Sequence, residues 1–123
     1  MATLNDRVLD NGLTVLDTEA NRVDICSQEP ASYAEATSTY TLGNETSISI
    51  SAPGDASPNG RKVTLAAVSG ASVTGTGTAT HYAISDTGNS RLLATGSLSA
   101  SQVVTSGNTF SLTASDIRIP DPA

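Results

Sequence analysis

The sequence predicts an all-β fold, an antiparallel β-sandwich or small barrel built from hairpins, with a short helix or arm at its N-terminus. Two observations lead to this prediction. Residues 63–119 consist of short runs rich in Val, Thr, Ser and Leu, separated by Gly-containing tetrads at 69–72, 86–89 and 106–109. Connections this short join antiparallel strands, because a parallel pair needs a long crossover. The whole chain holds about eight or nine such runs, enough for two packed sheets or a small barrel.

The first twelve residues are predicted to be an arm or short helix, followed by a single β-sandwich domain over residues 13–123. Thr3 suits the N-cap of a helix over residues 4–11, and Gly12 suits its end. A helix this short is unstable alone, so it should dock on its own domain or on a neighbouring chain. Its interface candidates are the apolar residues Leu4, Val8, Leu9 and Leu13.

The next two apolar runs, residues 13–16 and 22–26, are predicted to form a hairpin. In the second run apolar and polar residues alternate, which predicts one buried face with Val23 and Ile25. The other face should be solvated, with Cys26 at its margin.

Breaker residues divide the middle of the chain. Pro30 should end the preceding strand, because it lacks the N–H that a ladder needs. The expected order is then a helical turn at 31–36, extended chain at 37–42, a turn at Gly43-Asn44, a half-buried strand at 47–51 and an exposed loop at 52–60.

The last half of the chain is predicted to be a meander of hairpins that opens with residues 61–68. In residues 73–84, threonines occupy one face of the strand, and the small residues Gly75, Gly77, Ala79 and Ala83 occupy the other. Glycine in a strand often marks the close approach of another backbone, so this small-residue face should pack tightly. The remaining strands are expected at 91–98, 102–105, 110–114 and 116–119.

Composition excludes several classes of function. The net charge is -6 and the six Lys and Arg residues are scattered, which argues against binding nucleic acid. The single cysteine, Cys26, cannot form an internal disulfide. No run approaches the ~20 apolar residues of a membrane span, and residues 1–10 lack the pattern of a secretory signal. Aromatic residues are only 3%, so the core is thin and a homo-oligomer, or stabilisation by a particle, is expected.

Candidate catalytic residues each have a more ordinary interpretation. Asp86-Thr87-Gly88 spells the aspartic-protease triplet, of which a dimer would supply two copies, but with Asn89 it also makes a good hairpin turn. His81 is the only histidine, so one chain can build neither a His-based triad nor a multi-histidine zinc site; we expect it to be partly buried and hydrogen-bonded. Nothing supports a reactive Cys26 thiolate. We therefore predict no catalytic residue, no metal, no cofactor and no enzymatic activity.

Several segments after Val23 form a recognisable set. They are residues 26–30 and 33–37 (CSQEP and YAEAT), 77–83 (GTATHYA), 107–110 (GNTF) and 117–122 (IRIPDP). This set resembles small structural proteins of tailed bacteriophages and prophages. The resemblance implies a virion component, with capsid decoration or cementing as the commonest role for a β domain of this size. It carries over no catalytic residue.

The leading hypothesis is a decoration or cement protein that binds the outside of the phage head and contacts the major capsid protein or copies of itself. It would be present in the host cytoplasm during assembly and on the capsid surface afterwards. The alternative is an adhesion module of a tail or head fibre, which would bind a host receptor through residues 52–60 and 86–90. A dimeric protease that uses Asp86 is a third hypothesis.

Overall fold

A computed structural model describes residues 3–4, 13–55 and 61–119 of the chain. The described residues are mostly β-strand, as predicted. In chain order the elements are β1 (Thr3–Leu4), α1 (Thr14–Glu19), β2 (Arg22–Cys26), a π-helical turn (Glu35–Thr39), β3 (Thr41–Glu45), β4 (Gly54–Asp55), β5 (Arg61–Leu65), β6 (Val68–Val73), β7 (Gly77–Asp86), β8 (Arg91–Val104), β9 (Thr109–Leu112) and β10 (Ser115–Ile119).

The strands form two antiparallel sheets, which confirms the predicted fold class. The larger sheet has the order β1-β8-β7-β2-β3-β6-β9, and its six longer strands curl into a half-barrel. The smaller sheet has the order β10-β5-β4.

Residues 61–119 form one long ribbon, and the predicted meander is wrong. The strand pairs β7–β8, β6–β9 and β5–β10 are nested inside one another around the turn at 87–90. Their register is nearly continuous: Asp86 pairs with Arg91, Gly77 with Val104, Val68 with Leu112 and Leu65 with Ser115. Two interruptions divide the ribbon: residues 74–76 and 105–108 separate its inner pair from its middle pair, and residues 66–67 and 113–114 separate its middle pair from its outer pair. In the larger sheet, β2 and β3 lie between β7 and β6. Strands adjacent in sequence are therefore often far apart in the sheet.

The first apolar run is helical, so the predicted hairpin with β2 is wrong. Helix α1 begins at Thr14, and Leu13, Val15 and Leu16 are buried in the main core. Helical spacing places Leu13 and Leu16 on one side of the turn, where both can reach this core. The ladder partners of β2 are β3 and β7.

The N-terminal prediction is tested at only two of its residues. Thr3 pairs with Thr95 and Leu4 with Ala94, so both belong to a strand and Thr3 is not a helix cap. The rest of the predicted helix lies outside the described residues.

Of the predicted turns, those at 43–44 and 69–72 are parts of strands, and those at 86–89 and 106–109 are turns. Gly43 and Asn44 lie inside β3, paired with β2 and β6. Residues 69–72 lie inside β6, where a register shift occurs near Gly70, which has a φ of 70°. The predicted turns after β7 and β8 are confirmed. The predicted strands at 91–98 and 102–105 are both parts of the single strand β8.

The predicted strand at 47–51 is reduced to one bridge between Ile50 and Leu65. The predicted loop at 52–60 contains β4, which pairs with β5. Residues 56–60 of this loop lie outside the described part. On the ribbon, Thr74, Thr76 and Thr78 are exposed, whereas Ala79 and Ala83 are buried. Ala79 packs in the main core and Ala83 packs with Cys26 in a separate cluster. The register of β7 shifts between Ala79 and His81, so the small residues do not share one face and that prediction is wrong.

The core has two parts on opposite faces of the larger sheet. The main part is largely aliphatic, with Leu16, Ile25, Leu65, Ile84 and Leu93 as its largest fully buried side chains. The second part contains Cys26, Ala36 and Ala83, with Tyr40 and Leu92 packed against it. Because residues 27–40 supply Ala36 and Tyr40 to this second part, the predicted solvated face of β2 is buried as well.

Candidate functional site

The Asp86 carboxylate stabilises its own turn. Its Oδ1 accepts the Gly88 backbone N–H at 3.0 Å, and its Oδ2 accepts the Asn89 side-chain amide at 2.7 Å. Asp86 is buried, and Ser90 closes the turn with a φ of 51°. These contacts confirm the turn interpretation of this sequence.

Cys26 is fully buried beneath the π-helical turn and does not lie at a surface margin. Its thiol donates a weak bond to the Ala36 carbonyl oxygen at 3.7 Å. Burial, and then the negative charge of Asp24, raise the pKa of Cys26 to about 12, against an opposing contribution from Arg22. A thiol with this pKa is almost entirely protonated at neutral pH and is a poor nucleophile.

We expect Cys26 to be unreactive in the native protein. With an aromatic disulfide reagent at pH 8, labelling should be slow and limited by unfolding, and it should be rapid and stoichiometric in concentrated urea. The raised pKa also means that the neutral thiol stabilises the fold fully below pH 9.0, and that this contribution is lost as the pH rises toward about 12. Rapid labelling without urea would contradict this prediction.

His81 makes the hydrogen bond that the sequence predicts. The Thr80 hydroxyl donates to the Ser27 carbonyl oxygen at 3.0 Å, and the Thr80 hydroxyl oxygen lies 2.9 Å from His81 Nδ1. Since a hydroxyl has one hydrogen, the Nδ1–H is the donor in the second bond. His81 is half-buried, as expected. The bond from Thr80 to Ser27 ties β7 to the chain that follows β2.

Strand β2 carries a buried charged cluster that the sequence pattern does not predict. Asp24 is 0% exposed, and Arg22 binds it through Nε at 2.7 Å and Nη2 at 2.9 Å. The Thr41 hydroxyl donates to Asp24 Oδ2 at 2.6 Å. The hydrogen bond to Asp24 is the main cause that raises the pKa of Arg22. This cluster, Arg22-Asp24-Thr41, joins β2 to β3 and leaves no carboxylate oxygen without a partner.

Only Leu13 of the four predicted interface residues has a described side chain. Leu13 is a core residue, because its side chain packs inside the half-barrel. Leu4 is in β1 on the edge of β8, and its side chain lies outside the described part. Val8 and Leu9 are also outside it, so their role stays a prediction.

A groove of about 560 Å³ lies between β8 and β9, the outer strands of the half-barrel. Leu65, Val68, Tyr82, Leu98 and Leu112 give it apolar lining, and the remaining lining residues are mainly serine, alanine and threonine. Its size is that of a small ligand site, but the polar groups are hydroxyls and one amide, with no ionisable group except Tyr82.

Two contacts shape this groove. Gln102 on β8 donates its side-chain amide to the Ser111 carbonyl oxygen on β9 at 2.9 Å. The Tyr82 ring packs against Gly96, where a Cβ would lie 2.6 Å from the ring. Tyr82 is only 9% exposed, and burial raises the pKa of its hydroxyl. The groove thus offers an uncharged contact surface and no acid or base suited to neutral pH.

Within residues 3–4, 13–55 and 61–119, no group of three or more His, Cys, Asp or Glu side chains is placed to hold a metal ion. The helices in this part of the chain are too short or too polar to cross a membrane.

Comparison of the chain with protein-family models, with curated proteins and with solved structures gave no match.

Proposed function

We propose that the protein is a structural component of a tailed-phage particle, a decoration or cement protein that binds the outside of the head and contacts the major capsid protein. The observation that carries the proposal is that the candidate reactive side chains Asp86, Cys26 and His81 are all engaged in contacts within the fold. Asp86 bonds its own turn, Cys26 is a buried neutral thiol and His81 bonds the hydroxyl of the neighbouring Thr80. Each of them stabilises the fold, which favours a function exercised through contact.

The architecture suits such a function. A long antiparallel ribbon, folded back on itself, gives a β body whose strands support one another over most of the described chain. The choice of a phage particle as its binding partner comes from the resemblance of its segments to small phage structural proteins. A decoration protein gains stability from its neighbours on the shell, which suits a domain with few aromatic residues.

The receptor-binding alternative has less support from the described residues. Sugar-binding surfaces usually present aromatic rings for stacking. Tyr82 is buried, and Tyr33 and Tyr40 are half-buried, so none of the three tyrosines is an open platform.

Counting copies in purified particles tests the proposal. Mass spectrometry with isotope-labelled peptides should find this chain at a stoichiometry comparable to that of the major capsid protein, and it should stay with heads when heads and tails are separated. A small copy number confined to tails would support the fibre alternative. Complete absence from washed particles would reject a virion role. A soluble host protein measured in the same particles is the control for carry-over.

A further inference from the structure

The groove between β8 and β9 lies where the sheet departs from regular pairing. In the register of β8 with β7, residues 98–101 stand opposite Thr80 alone. In the register of β6 with β9, Ser69 and Gly70 stand opposite Ser111 alone. Both bulged segments contribute lining residues to the groove. Because bulges are concentrated next to functional sites, where they redirect side chains, two of them around one groove indicate a binding site.

Tyr82 gives this groove a polar group that the fold itself does not use. The hydroxyl end of its ring lies over Gly96, where a Cβ would collide with it. Only 9% of Tyr82 is exposed, and no described residue forms a hydrogen bond with its hydroxyl. The hydroxyl is not sealed inside the core, since Ser85 Oγ is the only fully enclosed side-chain oxygen or nitrogen without a partner in the described part of the chain. Tyr82 lines the groove, so its hydroxyl is available to whatever occupies that groove.

The other lining groups determine the chemistry of the occupant. The lining residues that the structure describes include no Asp, Glu, Lys, Arg or His. A charged ligand would lose its hydration in the groove without gaining a partner of opposite charge, which is costly. Aliphatic side chains such as Leu98 and Leu112 instead favour contact with apolar surface. With a volume of about 560 Å³, the groove has the size of a site for a single small molecule.

We propose that the groove binds a small, neutral and largely apolar molecule with an oxygen, such as that of a carbonyl group, that accepts a hydrogen bond from the Tyr82 hydroxyl. The apolar body of the ligand lies against Leu98 and Leu112 and displaces water from them. Burial raises the pKa of Tyr82, so its hydroxyl stays protonated and able to donate near neutral pH. The inference goes beyond the proposed function, because it concerns a site within a single chain.

Nile red is the probe that tests this site, because it is a neutral aromatic dye with one ring carbonyl group. Titrated into the full chain, it should give a saturable, blue-shifted fluorescence with one dye bound per chain. Amide NMR spectra of the labelled protein should locate the dye. The largest shifts are expected at groove residues such as Ser69, Leu98 and Leu112.

Tyr82→Phe removes the hydroxyl and keeps the ring. Because that hydroxyl bonds no described residue, the variant should unfold at the wild-type urea midpoint. It should bind Nile red about threefold to tenfold more weakly, as expected for the loss of one hydrogen bond. Ala100→Trp adds an indole ring to the wall of the groove and should abolish saturable binding. Val103→Trp adds the same ring on the same strand at an exposed position outside the groove, and it should bind like the wild type.

Four results would overturn the proposal: a wild-type chain with no saturable binding, amide shifts centred away from the groove, a Tyr82→Phe variant that binds as tightly as the wild type, or a folded Ala100→Trp variant with wild-type affinity. If Ala100→Trp does not fold, the amide shifts and Tyr82→Phe decide the question. Copy number in particles is measured separately, so a chain that is abundant on heads but binds no dye would reject this site and leave the proposed function intact.

Discussion

Replacing the buried carboxylate of β2 should destabilise the protein strongly. In Asp24→Asn, the amide group of the new side chain would face the Arg22 guanidinium or the Thr41 hydroxyl, so at least one hydrogen bond to a charged acceptor is lost. Arg22 would then keep a largely buried charge without a counter-ion, since its side chain is only 20% exposed. Breaking a buried ion pair costs several kcal/mol, and the partial exposure of Arg22 brings our expectation to about 3 kcal/mol.

The chain offers a matched control on its smaller sheet. Asp116 also binds a cation and a threonine hydroxyl, Lys62 at 3.1 Å and Thr64 at 2.7 Å. These bonds lower the pKa of Asp116, with the Thr64 bond as the largest cause, but the carboxylate lies at the surface. Urea unfolding should therefore give Asp116→Asn a wild-type midpoint and Asp24→Asn a much lower one. Equal midpoints for the two variants would show that burial is not what makes the β2 cluster important.

Local chemistry in the sequence was enough to predict some elements. Arg22–Cys26 was predicted as a strand with its observed bounds, and the turn after Asp86 follows from the residues that favour turns. Both depend on neighbours within a few positions. The pairing of the strands depends on the long ribbon, whose outer pair joins residues as distant as Arg61 and Ile119, and no short-range pattern encodes such a contact.

Burial on the second face of the sheet could not be predicted for a different reason. The alternation around Val23 and Ile25 identifies one apolar face correctly. The other face is covered by residues 27–40, a polar segment that supplies Ala36 and Tyr40 to the buried contacts. Small residues give little signal, so Asp24 and Cys26 were placed near solvent. The groove escaped prediction because its lining comes from parts of the chain that only the folded ribbon brings together.

Adding one methyl group at Gly43 should also destabilise the fold. The predicted turn at this position is a central strand, and a Cβ there would lie 2.6 Å from the Ser72 carbonyl oxygen and 3.0 Å from the Phe110 ring. Gly43 has no positive φ, so the effect of Gly43→Ala is purely steric. The oxygen belongs to the backbone of β6, which cannot move away without weakening its pairing with β3. We expect a loss of about 3 kcal/mol, at the upper end of the range for overpacking.

Gly54→Ala is the control for this prediction. Gly54 is also in a strand, paired with Lys62, but a Cβ there would have no atom within 4 Å. Its free energy of unfolding should change by no more than about 0.5 kcal/mol, as for most surface substitutions. Urea unfolding of both variants, followed by circular dichroism, gives the comparison. If Gly43→Ala were as stable as Gly54→Ala, strands β3 and β6 would have to lie farther apart than this structure places them, and the half-barrel would have to be less tightly curled at that point.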